Sequence, residues 1–183
     1  TIGRPLVEVL LRAGYRVTLR PHPQTRRMNP RRVDSLVAKF GQHPRFRCEA
    51  DVVSQESLHA SDLMISDWSG AALDYALGLE RPVLFLDVPR KVNNPDFARL
   101  DIVPFEDRIR RDIGAVVAPD RLDDIPDCVQ PLISDPHRFR ARIGVVRSRW
   151  VYNVGSSGAR GAERILELAA ESERPCQDTR SRG

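Results

Sequence analysis

Hydrophobic and polar positions follow two rhythms along the chain. Apolar residues three and four apart mark helices, while short unbroken apolar runs between turn residues mark strands covered on both faces. Leu6, Val9, Leu10 and Ala13 share one helical face over Pro5 to Ala13, with Gly14 as the stop. Tyr15 to Leu19 is β-rich, Phe46 to Cys48 is a second short strand, and Leu63, Met64 and Ile65 form a third that ends at Ser66. Val83 to Leu86 is the plainest strand, and Ile113 to Val117 is the last. Between the strands the spacing predicts helices. One opens at Asn29-Pro30, buries Val33, Leu36, Val37 and Phe40, and stops at Gly41. Ser54 caps a short one through Leu58, Ala71 to Ala76 begins another, and a fourth runs from Leu122 to Ile133. An arginine-rich helix covers Pro136 to Trp150, and a last one carries Ala162, Ile165, Leu166, Leu168 and Ala169. Residues 96–111 are charged and show no period. Strands alternating with helices at this spacing predict right-handed crossovers, hence an α/β fold with one parallel sheet of about five strands and helices on both faces. One domain is expected over residues 1–172, with residues 173–183 as a frayed polar tail.

The chain is organised around Ser61 to Tyr75. Its apolar run ends in a small polar turn, Ser66, Asp67, Ser69 and Gly70, which leads directly into a helix. The first turn of a helix has unpartnered N–H groups and a partial positive charge, so small residues there let a phosphate approach closely. The same residues also suit an ordinary N-cap, with Asp67 or Ser69 satisfying its own helix and no ligand involved.

A second candidate follows the first strand. In Arg20-Pro21-His22-Pro23 the two prolines hold the histidine extended, just past the strand's C-terminal end, and ligands of open α/β sheets bind at that edge. An exposed loop histidine is the plain alternative. Arg26 and Arg27 are close enough in sequence to share the loop, or they belong to a solvated charged face.

Composition narrows these options. Hydrophobic residues at 41% and charged residues at 30% describe a soluble globular domain, and no apolar run approaches the length of a membrane span. The net charge of +4 is almost all arginine, since Lys39 and Lys91 are the only lysines. Arginine favours bidentate contacts with phosphate and carboxylate, so an anionic ligand or acidic surface fits. With aromatics at 6% and no stacking residues interleaved with the basic ones, nucleic acid is not the expected partner. Cys48, Cys128 and Cys176 form no Cys-x-x-Cys pair, which suggests a reducing compartment and no zinc or other metal site. The chain opens at Thr1, already in a helical pattern, and so reads as a piece of a longer protein.

Three fragments stand in a familiar order: His22-Pro23, then Ser61-Asp62-Leu63-Met64-Ile65-Ser66-Asp67-Trp68-Ser69-Gly70 continuing to Asp74-Tyr75-Ala76, then Arg81-Pro82-Val83-Leu84-Phe85. Together they resemble the nucleotide-binding half of the CDP-glycerol glycerophosphotransferases, which build teichoic-acid-like polymers. Trp68 stands in place of that family's tyrosine, Gly70 in place of a second serine and Arg81 in place of a lysine. The turn Asn153-Val154-Gly155-Ser156-Ser157-Gly158 is similar to the start of the family's last helix, whereas no Arg-Gly-aromatic segment occurs between Asn93 and Arg111.

The resemblance implies a Rossmann-like C-terminal half of a glycosyltransferase-B fold, with an N-terminal domain elsewhere in the parent chain supplying acceptor and membrane contacts. It implies His22 as the catalytic residue, and Arg26, Arg27, Ser66, Asp67, Ser69, Gly70 and Asp74 around the donor. Glycerol phosphate would pass from CDP-glycerol to a polymer or lipid-linked hydroxyl with release of CMP, without metal or other cofactor. The place implied is the cytoplasm, peripheral to the inner face of the membrane through the rest of the parent, and the isolated chain is expected to be inactive. Two other readings stand beside it: the same domain using another nucleotide-sugar, and a noncatalytic module that binds a protein or polyanion through its arginines.

Overall fold

The structure is a computed structural model describing residues 2–49, 53–90, 92, 94 and 96–172. The expected tail and the segment 50–52 lie outside the described residues. The chain separates into a body ending at Val146 and a second unit from Arg147 onward.

Helix α1 (Gly3–Arg12) opens the body and ends as its sequence dictates. Gly14 takes φ +89°, its N–H bonds the Leu11 carbonyl, and the Tyr15 N–H bonds the Leu10 carbonyl at 3.1 Å. This pair of reversed bonds satisfies the last carbonyls and turns the chain into β1 (Val17–Leu19). Helices α2 (Pro23–Met28) and α3 (Pro30–Phe40) follow, then β2 (Phe46–Cys48). Helix α4 (Glu56–Ala60) leads to β3 (Met64–Ser66), α5 (Gly70–Leu79) and β4 (Val83–Leu86). After a 3-10 turn at Phe97–Arg99 come α6 (Phe105–Ile109), β5 (Gly114–Val117), a second 3-10 turn at Leu122–Asp124, α7 (Ile125–Ser134) and α8 (Pro136–Trp150).

All strand pairs are parallel, so the α/β class holds, but the expected single sheet does not. The five strands form two ladders, β1-β2 and β3-β4-β5, and no ladder joins them among the described residues. Side chains connect what backbone bonds do not. Helix α1 sends Val9 and Leu10 into the larger core and Val7 and Leu11 into a smaller one with Phe40 and Phe46, and Val17 packs against both. At its two ends β1 bonds toward β2, through the Val17 N–H to the Arg45 carbonyl and the Glu49 N–H to the Leu19 carbonyl.

Every residue of β4 is buried, and successive strand residues point to opposite faces, so both faces of the three-stranded sheet are covered. Tyr75, Ile109, Ile113, Ile125 and Ile143 complete that core. Val37, expected inside, is exposed, and only Val33 and Phe40 of α3 are buried. In the second unit α9 (Ser157–Ser172) is amphipathic, with Ile165, Leu166 and Leu168 exposed.

Candidate functional site

The three-stranded sheet presents its C-terminal edge through the loops after Ser66, Leu86 and Val117. Ser66 closes β3 half-buried, Asp67 is exposed, and Ser69 is the half-buried residue before α5, with extended backbone (φ −109°, ψ 132°). Its carbonyl accepts the Ala72 N–H at 3.0 Å, yet its hydroxyl caps nothing, and Asp67 forms no hydrogen bond among the described residues. The expectation that one of these two caps α5 is therefore corrected. Gly70 and Ala71 begin the helix, where an N–H has no carbonyl one turn back to bond. A Cβ built on Gly70 would meet nothing within 4 Å, so a side chain at this position would project into open space. Asp74 is exposed one turn along, at the i+4 position from Gly70 and hence on the same side of α5.

Tyr75 turns the other way, into the core. Its hydroxyl donates to the Ser61 carbonyl at 2.9 Å and accepts from the Ser61 hydroxyl at 3.1 Å. Burial pushes the phenol's pKa up. Arg81 donates to the same Ser61 carbonyl and to the His59 carbonyl, tying the start of β3 to the end of α5.

His22 takes a different form from the loop residue expected. It is the N-cap of α2, exposed, with Pro23 in the first helical position, and its Nδ1 accepts the Gln24 N–H at 3.1 Å. A ring nitrogen that accepts carries no proton, which leaves the Nε2–H as the donor His22 presents to solvent. Arg26 and Arg27 lie exposed in the last turn of α2. Arg26 is near enough to the Cys48 thiol to oppose the upward pKa push that burial gives it. Among the described residues no hydrogen bond, ion pair or ring contact joins His22, Arg26 or Arg27 to the turn at 66–70. The structure thus gathers Ser66, Asp67, Ser69, Gly70 and Asp74 at one edge and His22, Arg26 and Arg27 at the end of the β1-β2 ladder.

That second end is braced from beneath. Arg20 donates to the buried Glu49 carboxylate, to the Ser57 hydroxyl at 2.7 Å and to the Ser54 carbonyl at 2.9 Å. The Ser57 hydroxyl also donates to Glu49, and with Arg20 it holds that carboxyl below the usual range.

The residues most closely knit around the turn were not expected. The Trp68 indole N–H donates to the Val88 carbonyl at 2.8 Å, pinning the ring over the end of β4. Two guanidinium carbons lie over that ring, Arg110 at 4.0 Å and Arg90 at 4.5 Å from its centroid. Arg90 also lies 5.4 Å from the Phe97 centroid and is ion-paired with Asp107. Arg110, only 5% exposed, bonds Asp87 at 2.8 Å and lies 5.0 Å from the Phe85 centroid; its Nε has no hydrogen-bond partner among the described residues. Stacking on two π-faces offsets part of that cost, at about 0.5–2 kcal/mol per contact. Beside this stack lies a cavity of about 290 Å³, lined by Trp68, Val92, Phe97 and Pro104 together with Arg90, Asn94 and Glu106. The sequence signal was the pair of oppositely charged Asp87 and Arg110 flanking an irregular stretch, too weak to read without the chain path.

Among the described residues no cluster of histidine, cysteine or carboxylates has metal-binding geometry, and no helix is long and apolar enough to cross a membrane. Comparison with protein-family models, with characterised proteins and with solved structures finds no match for this chain.

Proposed function

We propose that this chain is the donor-binding half of a transferase similar to the CDP-glycerol glycerophosphotransferases, a Rossmann-like C-terminal half of a glycosyltransferase-B fold. The observation that supports it most is the uncapped start of α5, with open space where a Gly70 side chain would be. A diphosphate fits that place because free N–H groups and the helix dipole both favour anions, without any need for a metal.

In the proposed reaction the oxygen of an acceptor hydroxyl attacks the β-phosphorus of CDP-glycerol. A new P–O bond forms, the bridging P–O bond breaks, and CMP leaves with the electron pair. The hydroxyl proton passes to the released phosphate or to solvent. Such a transfer needs phosphate charge to be neutralised more than it needs covalent catalysis. The amides of Gly70 and Ala71 hold the donor phosphates, and Arg26 or Arg27 clamps their outer oxygens once the acceptor half closes the cleft. His22 serves as a donor through Nε2–H to the departing phosphate, since its Nδ1 is already engaged by Gln24. Acceptor recognition and any contact with a membrane belong to the rest of the parent chain. The missing Arg-Gly-aromatic segment favours keeping a second nucleotide-activated donor in view, to be separated by comparing CMP with UDP.

Thermal unfolding tests the reading. At about 100 times its Kd, CMP or CDP-glycerol should raise the Tm by roughly 5–10 °C. Gly70→Val should remove that shift while leaving the unliganded Tm within about 2 °C, because the added side chain touches only the ligand's space. A chain stabilised by no nucleotide, or a Gly70→Val variant stabilised as well as the parent, contradicts the proposal.

A further inference from the structure

The turn from Ser66 to Gly70 does little to hold itself. Ser69 makes no side-chain cap, and neither Ser66 nor Asp67 makes a side-chain hydrogen bond or ion pair among the described residues. Trp68 is the one side chain of this turn tied elsewhere among those residues, through its N–H to the Val88 carbonyl and through the guanidiniums over its ring. The direction of the Gly70 and Ala71 amides therefore depends on how the end of β4 holds Trp68, two residues before Gly70. Arg110 joins the two. Its guanidinium carbon lies 4.0 Å from the Trp68 centroid and 5.0 Å from that of Phe85, a buried residue of β4. It bonds the Asp87 carboxylate at 2.8 Å and reaches the Leu86 carbonyl at 3.5 Å. One side chain thus touches the ring of the turn and three successive residues at the end of β4.

Stability alone does not account for an arginine at this position. The Arg110 side chain is 6% exposed and that of Asp87 52%, so the cation has given up its water while its partner has not. The Arg110 Nε is buried with no hydrogen-bond partner among the described residues. An apolar side chain of similar length would fill the space without these costs, since buried ion pairs are often replaceable by packed apolar groups. What it would not supply is direction. A planar guanidinium stacked on two rings and bonded at its edge has one orientation, whereas a methionine there has several.

We propose that Arg110 is a positioning residue for the donor phosphates: held by Asp87 and Phe85, it fixes the Trp68 ring and, through it, the amides of Gly70 and Ala71, without touching the ligand itself. Amides already aimed at the phosphates lose little freedom when the donor arrives, and that saving appears as affinity. The inference rests on the proposed nucleotide binding and adds what keeps the amides in place.

Arg110→Met in the 183-residue chain tests this. Asp87 stays hydrated once its partner is gone, so the Tm should fall by less than about 4 °C. CMP should nevertheless bind about tenfold more weakly in calorimetric titration, and the backbone N–H resonances of Ser69, Gly70 and Ala71 should move in the ligand-free chain. Trp68→Phe keeps a ring beside the guanidiniums but loses the bond to Val88, and should weaken CMP by a similar factor. If Arg110 acts through Trp68, the double variant loses about tenfold, as either single variant does, rather than their product of about 100-fold. A loss equal to the product, unmoved amide resonances, or an Arg110→Met variant that binds CMP as tightly as the parent overturns the positioning role and leaves nucleotide binding intact. Should Arg110→Met fail to fold, Trp68→Phe carries the test alone, and a CMP affinity within about twofold of the parent's overturns the inference. Failure of CMP to bind the parent chain overturns both the donor reading and the role built on it.

Discussion

Glu49 and Arg20 show how one buried pair shapes the proposed catalytic loop. Arg20 lies two residues before His22, and its guanidinium is fixed to Glu49, Ser57 and the Ser54 carbonyl. Arg20→Ala would leave a buried carboxylate with weakened compensation, and should lower stability by about 2–4 kcal/mol in urea unfolding. A loss under about 0.5 kcal/mol would show that the brace is ornamental. The same group sets an acid limb. The Ser57 hydroxyl and the Arg20 guanidinium hold the Glu49 carboxyl below its usual 4.5, so the folded state binds that proton more weakly than the unfolded chain does. Its contribution is therefore complete above the unfolded value and is lost as the pH falls toward the folded one. Stability should begin to decline below about pH 5, and Glu49→Gln should flatten that part of the curve. None of this was legible in the sequence, where Glu49 lies beside a polar stretch with nothing to mark its partners. His22 was half legible. The His-Pro pair gave the extended backbone, but the helix that Pro23 opens was hidden because two prolines read more naturally as a loop.

Elements with strong periods were legible at nearly their full extent. Phe46–Cys48, Val83–Leu86 and Pro136–Trp150 match the sequence boundaries residue for residue, because each is bounded by turn or proline signals. The loop after β4 was not, since Arg90, Phe97, Asp107 and Arg110 matter through the path that returns them to Trp68 rather than through any spacing. Glycine has opposite meanings in neighbouring elements, and this yields a paired prediction. A Cβ on Gly114 would fall on the Val83 carbonyl oxygen, its partner across the β4-β5 ladder. Gly114→Ala should cost about 3 kcal/mol. In α5, Gly78 has nothing near its Cβ position, and Gly78→Ala should stabilise by about 0.5–1 kcal/mol through helix propensity. Urea midpoints of the two variants should move in opposite directions; movement in the same direction would mean that the close approach of β5 to β4 is not what fixes glycine at 114.

At the scale of the molecule, the sequence carried the α/β class and the five strands but not their division into two ladders. Apolar periodicity reports which residues are covered; it does not report which backbone bonds to which, and Val17 serves both cores while β1 bonds toward β2. The proposed reaction spans that division, with His22 beyond β1 and the open amides beyond β3. On the proposed reading, with the acceptor half present, His22→Ala should reduce transfer by about 100-fold or more while CMP affinity changes less than about threefold, as steady-state kinetics and direct titration would show. Unchanged turnover would remove the imidazole from the chemistry. The central claim concerns the amides themselves, and backbone NMR of the isolated chain during CDP-glycerol addition reports on them one by one. The account predicts the largest shifts at the N–H groups of Ser69, Gly70 and Ala71; saturating ligand that moves other resonances and leaves those three unchanged would contradict it.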